Sequence, residues 1–501
     1  MKKTKIVATI GPVSETKTMM EKMITAGMNV ARLNFSHGSY DHHQLLINNL
    51  RAVAKKGNRS IAVLQDLQGP RIRIGDVAPE GITVEKGAEL FLVPENYVVP
   101  IKALSLYIPI QYPNLYKEVK VGQSILIDDA VIELKIERIK NRAICCRVVT
   151  GGVIKTHKGM NFPQSTIKCP PITAKDWQDL EFGIKNKVDF VALSFVKEAE
   201  DVIKLRRRIF ALEKKYWKSS SAGYGFKLEK PAAKGKIGGI HTRIIAKIER
   251  REAVKNIDSI LEAADGIMVA RGDLGIEVPF EDLPLVQKNI IDKCRKAGKQ
   301  VIVATQMLDS MIRNPLPTRA EVSDVANAIL DGTDAIMLSG ETATGKYPLR
   351  AVRVMSRIAR EVEGRLIDEQ EVKEGEFKNL SSITQIMSFV AQDLAEDVAH
   401  AKLIVCATTS GFTARNISRF RSEVPIIAIA PAMMTVNQLS LSWGVEAHLI
   451  KFTASFNSLL AKIKKLLLDK KLAVKGDTVI VVAGHPFGFK GQTNLIKVEE
   501  V

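Results

Sequence analysis

Lys247 and Glu249 stand two residues apart at the end of one apolar run, Arg243–Glu249, and Asp273 ends the next, Gly266–Asp273. Side chains two apart on a strand share a face, so the ammonium and the Glu249 carboxylate are expected side by side. Glu249 and Asp273 are hard carboxylates with no His or Cys beside them, which suits Mg2+ or Mn2+ rather than zinc. A lysine next to such a pair suits an anion that carries negative charge through a transition state, as a phosphoryl group does. Arg32 and Arg73 offer planar forks for phosphate oxygens. Other runs also end in polar groups: Asn34, Asp66, Arg271, Thr305, Gln306, Ser339 and Glu341. A buried ion-pair network would use the same residue types, but so many polar endings together favour chemistry. Thr305 and Ser339 have no adjacent base to make them nucleophiles and fit better as hydroxyl relays or hydrogen-bond partners. His37 is either a base or plain polar surface. Met307 and Met311 read as helix packing. There is no G-x-x-x-x-G-K-[ST] loop and no strand-borne G-x-G-x-x-G, so a nucleotide is not held by either of those cradles.

These residues need a frame that brings distant run ends to one place. Eight short β-branched runs fit: Ile6–Ile10, Asn29–Asn34, Ile61–Asp66, Val188–Phe195, Arg243–Glu249, Gly266–Asp273, Val301–Gln306 and Ala335–Ser339. Seven lead straight into helical patterns such as Glu15–Ala26, Tyr40–Lys55 and Asp282–Ala297. Eight βα units predict an α/β fold of the (β/α)8 TIM-barrel type, whose strand ends converge on one site. After Asp66 the expected helix is delayed to Thr173–Lys185, and Arg71–Pro171 reads as short strands between Gly, Pro and Asn turns. This predicts a small β-domain inserted at the mouth of the barrel, hinged at Pro70 and Pro170-Pro171, where it can serve as a lid. The polar stretch Glu361–Asn379 reads as a linker. Beyond it, strands and helices alternate again up to strand Thr478–Ala483, as in an open α/β domain. The expected division is 1–70 with 171–360 for the barrel, 71–170 for the insertion and 361–501 for the last domain.

With 501 residues, 46% of them hydrophobic and 26% charged, the chain is long enough for several cores and far from disordered or collagen-like composition. No apolar run approaches the ~18 residues of a membrane span, and MKKTKIVATIGP is expected to be the first strand rather than a leader. Five cysteines, none in a C-x-x-C pair, favour a reducing cytoplasm without disulfides or structural zinc. The net charge of +18 suits anionic partners. Between Lys204 and Arg251 there are 15 Lys and Arg against three acids. Much of this excess lies in Lys214–Gly239, expected to be a solvated loop. Its aromatics Tyr216, Trp217, Tyr224 and Phe226 leave a polyanion-binding arm as a minority alternative.

Several long segments carry a family resemblance: KIVATIGP, AGMNVARLNFSHG, IIAKIE, GIMVARGDLGIEVP, VATQMLDSM, PTRAEVSDVANAILDGTDAIMLSGETATGKYP and the tail NLIKV. Over essentially its whole length the chain resembles the pyruvate kinases. The resemblance implies phosphoryl transfer from phosphoenolpyruvate to ADP, giving pyruvate and ATP. By motif position, Glu249 and Asp273 would hold the divalent metal, and Lys247 would neutralise the phosphoryl group in transfer. Arg32, Arg73, Gly272, Asp273 and Thr305 would hold the substrate, and Thr305 and Ser339 would lie on the proton path. The nucleotide would meet Asn34, His37, Arg73 and, from the lid, Lys158. A cytoplasmic homotetramer is the family expectation. The rival readings are a silent polyanion-binding homologue and an aldolase-type barrel that needs a metal but no ADP.

The departures from the family pattern are informative. Many members read D-T-K-G-P-E-I-R where this chain reads Asp66-Leu67-Gln68-Gly69-Pro70-Arg71-Ile72-Arg73. Potassium-dependent members hold K+ beside Asn34, Ser36, Asp66 and the position of Leu67. Arg71 is expected to supply that charge instead, so K+ is expected to be unnecessary. The lid has Asp128-Asp129-Ala130 where Gly is usual in third place. Thr408, Thr409, Ser410, Gly411 and Thr413 resemble an effector phosphate loop, with simple capping of the next helix as the alternative. Phe412 stands where a basic residue is common, which favours a monophosphorylated effector over a bisphosphate.

Overall fold

A computed structural model describes residues 2–98, 105–217, 241–369, 380, 382–398, 400–453, 455–484 and 493–501. Strands β1 (Lys5–Thr9), β2 (Val30–Asn34) and β3 (Ala62–Asp66) open a parallel barrel. An insertion follows with β4 (Ile82–Val84), β5 (Glu89–Pro94), β6 (Leu106–Ile110), β7 (Ser124–Ile127), β8 (Ile132–Lys140), β9 (Ala143–Thr150), β10 (Gly152–Ile154) and β11 (Met160–Asn161). The barrel resumes at β12 (Phe190–Leu193), β13 (Arg243–Ile248), β14 (Gly266–Ala270), β15 (Gln300–Ala304) and β16 (Ala335–Leu338). Closure is made by β1 against β16, with Lys5 opposite Ala335.

Parallel strands covered on both faces need apolar residues on both, hence runs such as GIMVA and QVIVA. The two faces are distinguishable by parity. Val7, Val30, Ala62, Leu64, Phe190, Ala192, Ile245, Met268, Ile302 and Ala304 fill the barrel interior, while their neighbours pack against the helices. Continuing each inner row by two residues reaches Arg32, Asp66, Ser194 and Lys247. The pleat alone therefore aims these four into the mouth. At the opposite end Leu441, from the last domain, joins the interior cluster as a plug.

The insertion curls six strands in the order β11-β7-β8-β9-β5-β6 around its own core of Ile, Leu and Val. The barrel restarts at helix Ala174–Lys185, whose Thr173 and Asp176 form a reciprocal capping box. The last domain adds β17 (Leu403–Ala407), β18 (Ile426–Ala430), β19 (Val445–Leu449), β20 (Thr478–Ala483) and an antiparallel edge strand, β21 (Leu495–Glu500), in the order β19-β18-β17-β20-β21. That edge strand was not anticipated.

Three sequence expectations need correction. The Glu361–Asn379 linker begins as helix: Pro348–Glu369 is continuous. Val354, Met355 and Ala359 bury its inner side, and Glu363 accepts the backbone N–H groups of Lys3 (2.7 Å) and Thr4 (2.6 Å), so residues past 360 are held in place. Residues 370–379 lie outside the described residues. The run Gly266–Asp273 is strand only to Ala270, and Gly272 and Asp273 sit in the first turn of helix Arg271–Glu277. The basic stretch starts as the last turn of helix Ala199–Tyr216. There Tyr216 bonds Glu181, and Trp217 Nε1 donates to the Ile184 carbonyl at 3.0 Å. Those two aromatics anchor the chain on its own barrel. Residues 218–240, with Tyr224 and Phe226, lie outside the described residues.

Candidate active site

Lys247 is the centre of the mouth. Its Nζ lies 2.8 Å from Glu249 Oε1, 3.3 Å from Asp66 Oδ1 and 2.8 Å from Ser194 Oγ. Burial alone would lower its pKa, but the two carboxylates outweigh burial and hold the ammonium above its ordinary value. Asp66 is almost wholly buried. Burial pushes its pKa up, and Lys247 and Arg32 together bring it below normal. Arg32 Nε donates to Asp66 Oδ2 at 2.6 Å, and its Nη1 donates to Thr9 Oγ1 at 2.9 Å. Ser194 in turn donates to the Leu67 carbonyl at 2.6 Å. The pairings Asn34–Asp66 and Ala192–Asp66 across β2, β3 and β12 set this arrangement.

Glu249 also accepts the Phe195 N–H at 2.7 Å. Burial raises its pKa, and the neighbouring Asp273 charge adds to that rise against the pull of Lys247. Asp273 Oδ1 is buried with no hydrogen-bond partner. Two neighbouring carboxylates, one with a buried oxygen that makes no hydrogen bond, fit a hard divalent cation bound through oxygen. Glu249 and Asp273 are therefore the residues that would hold it.

Thr305 and Gln306, just past β15, have φ of 69° and 54°. A β-branched residue in this region is strained and must be held by its surroundings. Thr305 Oγ1 accepts the Gly272 N–H at 2.7 Å, and its carbonyl accepts Arg271 Nη2 at 2.8 Å. Arg271 is clamped by Asp324 at 2.6 Å. The structure thus joins Gly272 to Thr305. Ser339 donates its backbone N–H to Glu341 at 2.7 Å, while its Oγ is buried without a partner. Asn34 Oδ1 accepts the Ser36 N–H at 3.2 Å, and His37 is exposed on the loop after β2. From the insertion, Lys158 pairs with Asp128 at 2.8 Å, and Arg73 Nη1 donates to the His157 carbonyl at 2.9 Å. Partial burial, then the like charge of Arg71, lowers the pKa of Arg73.

Arg71 is not where the sequence reading placed it. Its ion pairs are with Asp129 (2.8 Å) and Asp273 (3.5 Å), while Asp66 is taken by Arg32 and Lys247. Gly69 turns the chain with φ +70°, and Leu67 buries its side chain, so residue 71 faces the insertion. Sequence reasoning also missed Thr9, Ser194, Asp324 and Asp129. Ser194 was within reach, being two residues beyond Ala192 on the inner row. Asp129 stood in a turn already marked as unusual, though with no role, and Asp324 carried no local signal.

Far from the mouth, the hydroxyl-rich loop of the last domain is tied down. Thr413 Oγ1 and Thr493 Oγ1 lie 3.0 Å apart, and Thr435 Oγ1 donates to the Thr409 carbonyl at 2.9 Å. The Ser410 carbonyl accepts Arg243 Nη2 at 2.7 Å. Thr408 is buried. Gly411, with φ +78°, is the cap of helix Phe412–Ser418, and no side chain caps that helix. The hydroxyls are therefore not there for simple capping.

A family model described as "Pyruvate kinase, barrel domain" matches residues 1–217 and 233–352, and one described as "Pyruvate kinase, alpha/beta domain" matches 386–499. The chain belongs to the pyruvate kinase family. It is a phosphotransferase, and the pyruvate kinase of Clostridium acetobutylicum is 41% identical over 504 residues, with 100% of both chains covered. That of Geobacillus stearothermophilus is 43% identical over 507 residues, covering all of this chain and 80% of that one. A solved pyruvate kinase from Cryptosporidium parvum superposes with a TM-score of 0.87 at 35% identity, covering 100% of this chain and 96% of the other. Among the described residues no helix is long and apolar enough to cross a membrane.

Proposed function

We propose that this kinase transfers the phosphoryl group of phosphoenolpyruvate to ADP, yielding pyruvate and ATP, with Mg2+ or Mn2+ held by Glu249 and Asp273. One observation carries the reading: a buried ammonium, Lys247, held charged between Asp66 and Glu249, with Asp273 Oδ1 near Glu249 making no hydrogen bond. The bound cation supplies charge neutralisation for phosphate oxygens. Lys247 needs no reorganisation to meet negative charge that develops on the phosphoryl group, because its carboxylates already hold it in place. Arg32, oriented by Asp66 and Thr9, and Arg73 contact phosphate oxygens. Gly272, Asp273 and Thr305 hold the substrate with them. The unpaired Ser339 Oγ, with Thr305, passes a proton to the enolate carbon once phosphorus has left. Asn34, His37 and Lys158 meet the nucleotide.

The three-domain division belongs to the same proposal, with the insertion 71–170 as lid and the last domain as regulatory. A phosphorylated metabolite at Thr408–Thr413, a cytoplasmic homotetramer and independence from K+ complete it. Arg71 still brings a fixed positive charge to the mouth, now through Asp273 rather than through the Asn34, Ser36, Asp66 and Leu67 cluster. Nucleic acid has no place in it. The test is pyruvate formation coupled to lactate dehydrogenase. Turnover must vanish when ADP or the divalent cation is omitted, and K+ in a Na+-free buffer must stimulate by less than about tenfold. Turnover without ADP would favour the aldolase-type reading.

A further inference from the structure

Two departures from the usual family residues, Arg71 and the turn Asp128-Asp129-Ala130, are far apart in sequence and meet in space. Arg71 Nη2 donates to Asp129 Oδ1 at 2.8 Å, and the same nitrogen is 3.5 Å from Asp273 Oδ1. Asp129 belongs to the hairpin turn between β7 and β8, and Asp273 belongs to the barrel. Asp128, Asp129 and Ala130 have φ of 56°, 55° and 68°, three successive side-chain-bearing residues in the left-handed region. Such a turn persists only when pinned. Here Lys158 holds the Asp128 carboxylate at 2.8 Å, and the Asp128 N–H donates to the Gly159 carbonyl at 3.0 Å. Asp129 is left to reach Arg71. The guanidinium passes directly over Gly159, where an added Cβ would lie 2.4 Å from Arg71 Nε.

A guanidinium does not lose its charge in a protein. Placed this near Asp273, it competes with a divalent cation for a buried carboxylate oxygen that makes no hydrogen bond. Asp129 pulls it the other way. We infer that Arg71 is a positioning residue through which the order of the Asp128–Ala130 hairpin turn and the divalent-cation affinity of Asp273 control each other. With the Asp129–Arg71 pair intact, the guanidinium is drawn off Asp273 and the hairpin turn is held to the first residue of the insertion. With the pair broken, the charge falls back on Asp273. Binding linkage is reciprocal, so a cation at Asp273 drives Arg71 towards Asp129 and tightens the hairpin by the same factor. The inference rests on Asp273 being a metal ligand.

The experiment is Mn2+ binding to the full chain without substrate or nucleotide, followed by electron paramagnetic resonance of free Mn2+. Arg71→Gln is expected to tighten Mn2+ at least about fivefold, and Asp129→Asn to weaken it by a similar factor. The double variant should match Arg71→Gln, because Asp129 acts only through the guanidinium. Amide exchange across residues 124–134 should slow on adding Mn2+ in the wild type and not in Arg71→Gln. Single variants within about twofold of wild type, or effects that simply add, overturn the inference. An Asp273→Asn control that still binds Mn2+ as tightly as wild type overturns the metal assignment and the inference with it. Loss of Mn2+ in that control with Arg71→Gln unchanged overturns the inference alone.

Discussion

The two ends of the barrel use buried charge in opposite ways. At the base, the acids have their oxygens engaged. Asp334 Oδ1 takes Arg421 at 3.2 Å and the Trp443 N–H at 3.1 Å, and its Oδ2 takes the Val301 N–H at 3.0 Å. Asp265 is paired with Arg206 at 2.9 Å and Arg243 at 3.4 Å and accepts the Ile244 N–H at 2.9 Å. At the mouth, Asp273 Oδ1 and Ser339 Oγ are buried and make no hydrogen bond, and Thr305 is strained. Burying an unpaired polar atom costs free energy. The fold engages the oxygens of these two acids at the base and leaves Asp273 Oδ1 without a hydrogen bond at the mouth, where a substrate and an ion are to complete the site. Base residues therefore serve stability, and mouth residues serve chemistry at some expense of stability.

Four changes would break or sharpen this contrast. The largest effect is expected from Lys247→Met, which should lower kcat by about 10²–10³-fold, as loss of one preorganised charge in a dry site does. A loss below tenfold in the coupled assay would remove Lys247 from the chemistry. At the base, Asp334→Ala strands Arg421 and two backbone N–H groups. It should cost about 3–5 kcal/mol, seen as a lowered melting temperature, with kcat near wild type at low temperature. A selective kcat defect without loss of stability would erase the distinction between the two ends. Ser339→Ala removes an oxygen with no partner, so thermal stability should hardly change while kcat falls by roughly an order of magnitude or more. A large drop in melting temperature would show that this hydroxyl is structural. The smallest effect concerns acid. Burial raises the pKa of the Asp265 carboxyl, but Arg206 and Arg243 outweigh burial and hold it in the folded protein below the ordinary carboxylate value. Its contribution is present above that value and is lost as pH falls through the folded pKa. The wild-type melting temperature should therefore drop more steeply below about pH 4 than that of Asp265→Asn. Parallel curves would show that these arginines do not stabilise the ionised acid.

Much of the frame was legible beforehand because parallel strands buried on both faces write continuous apolar runs, and their polar ends stand out against them. Lys247 with Glu249 followed from a spacing of two, and the inserted β-domain from a helix that failed to arrive after Asp66. The rest was illegible for physical reasons. The strand–helix boundary at Ala270 depends on where the chain begins helical hydrogen bonding, and ARGDLGIE reads either way. Helix Pro348–Glu369 runs on because Glu363 finds Lys3 and Thr4, a contact 360 residues away from the first of them. Edge strand β21 is half polar and pairs antiparallel, so it lacks the signature of the others.

By itself, the sequence determined which residue types end each strand and, through the two-residue period, which of them share the inner face. Local rules suffice for that, since the pleat and the apolar core act on neighbours. Only the tertiary structure decided that Arg71 serves Asp129 and Asp273 rather than Asp66, that Asp324 holds Arg271 and through it Thr305, and that Asp273 keeps a buried oxygen that makes no hydrogen bond. Those outcomes depend on which distant charges the closed barrel and its insertion bring within a few ångströms, and electrostatic competition among them is settled by distance rather than by order along the chain.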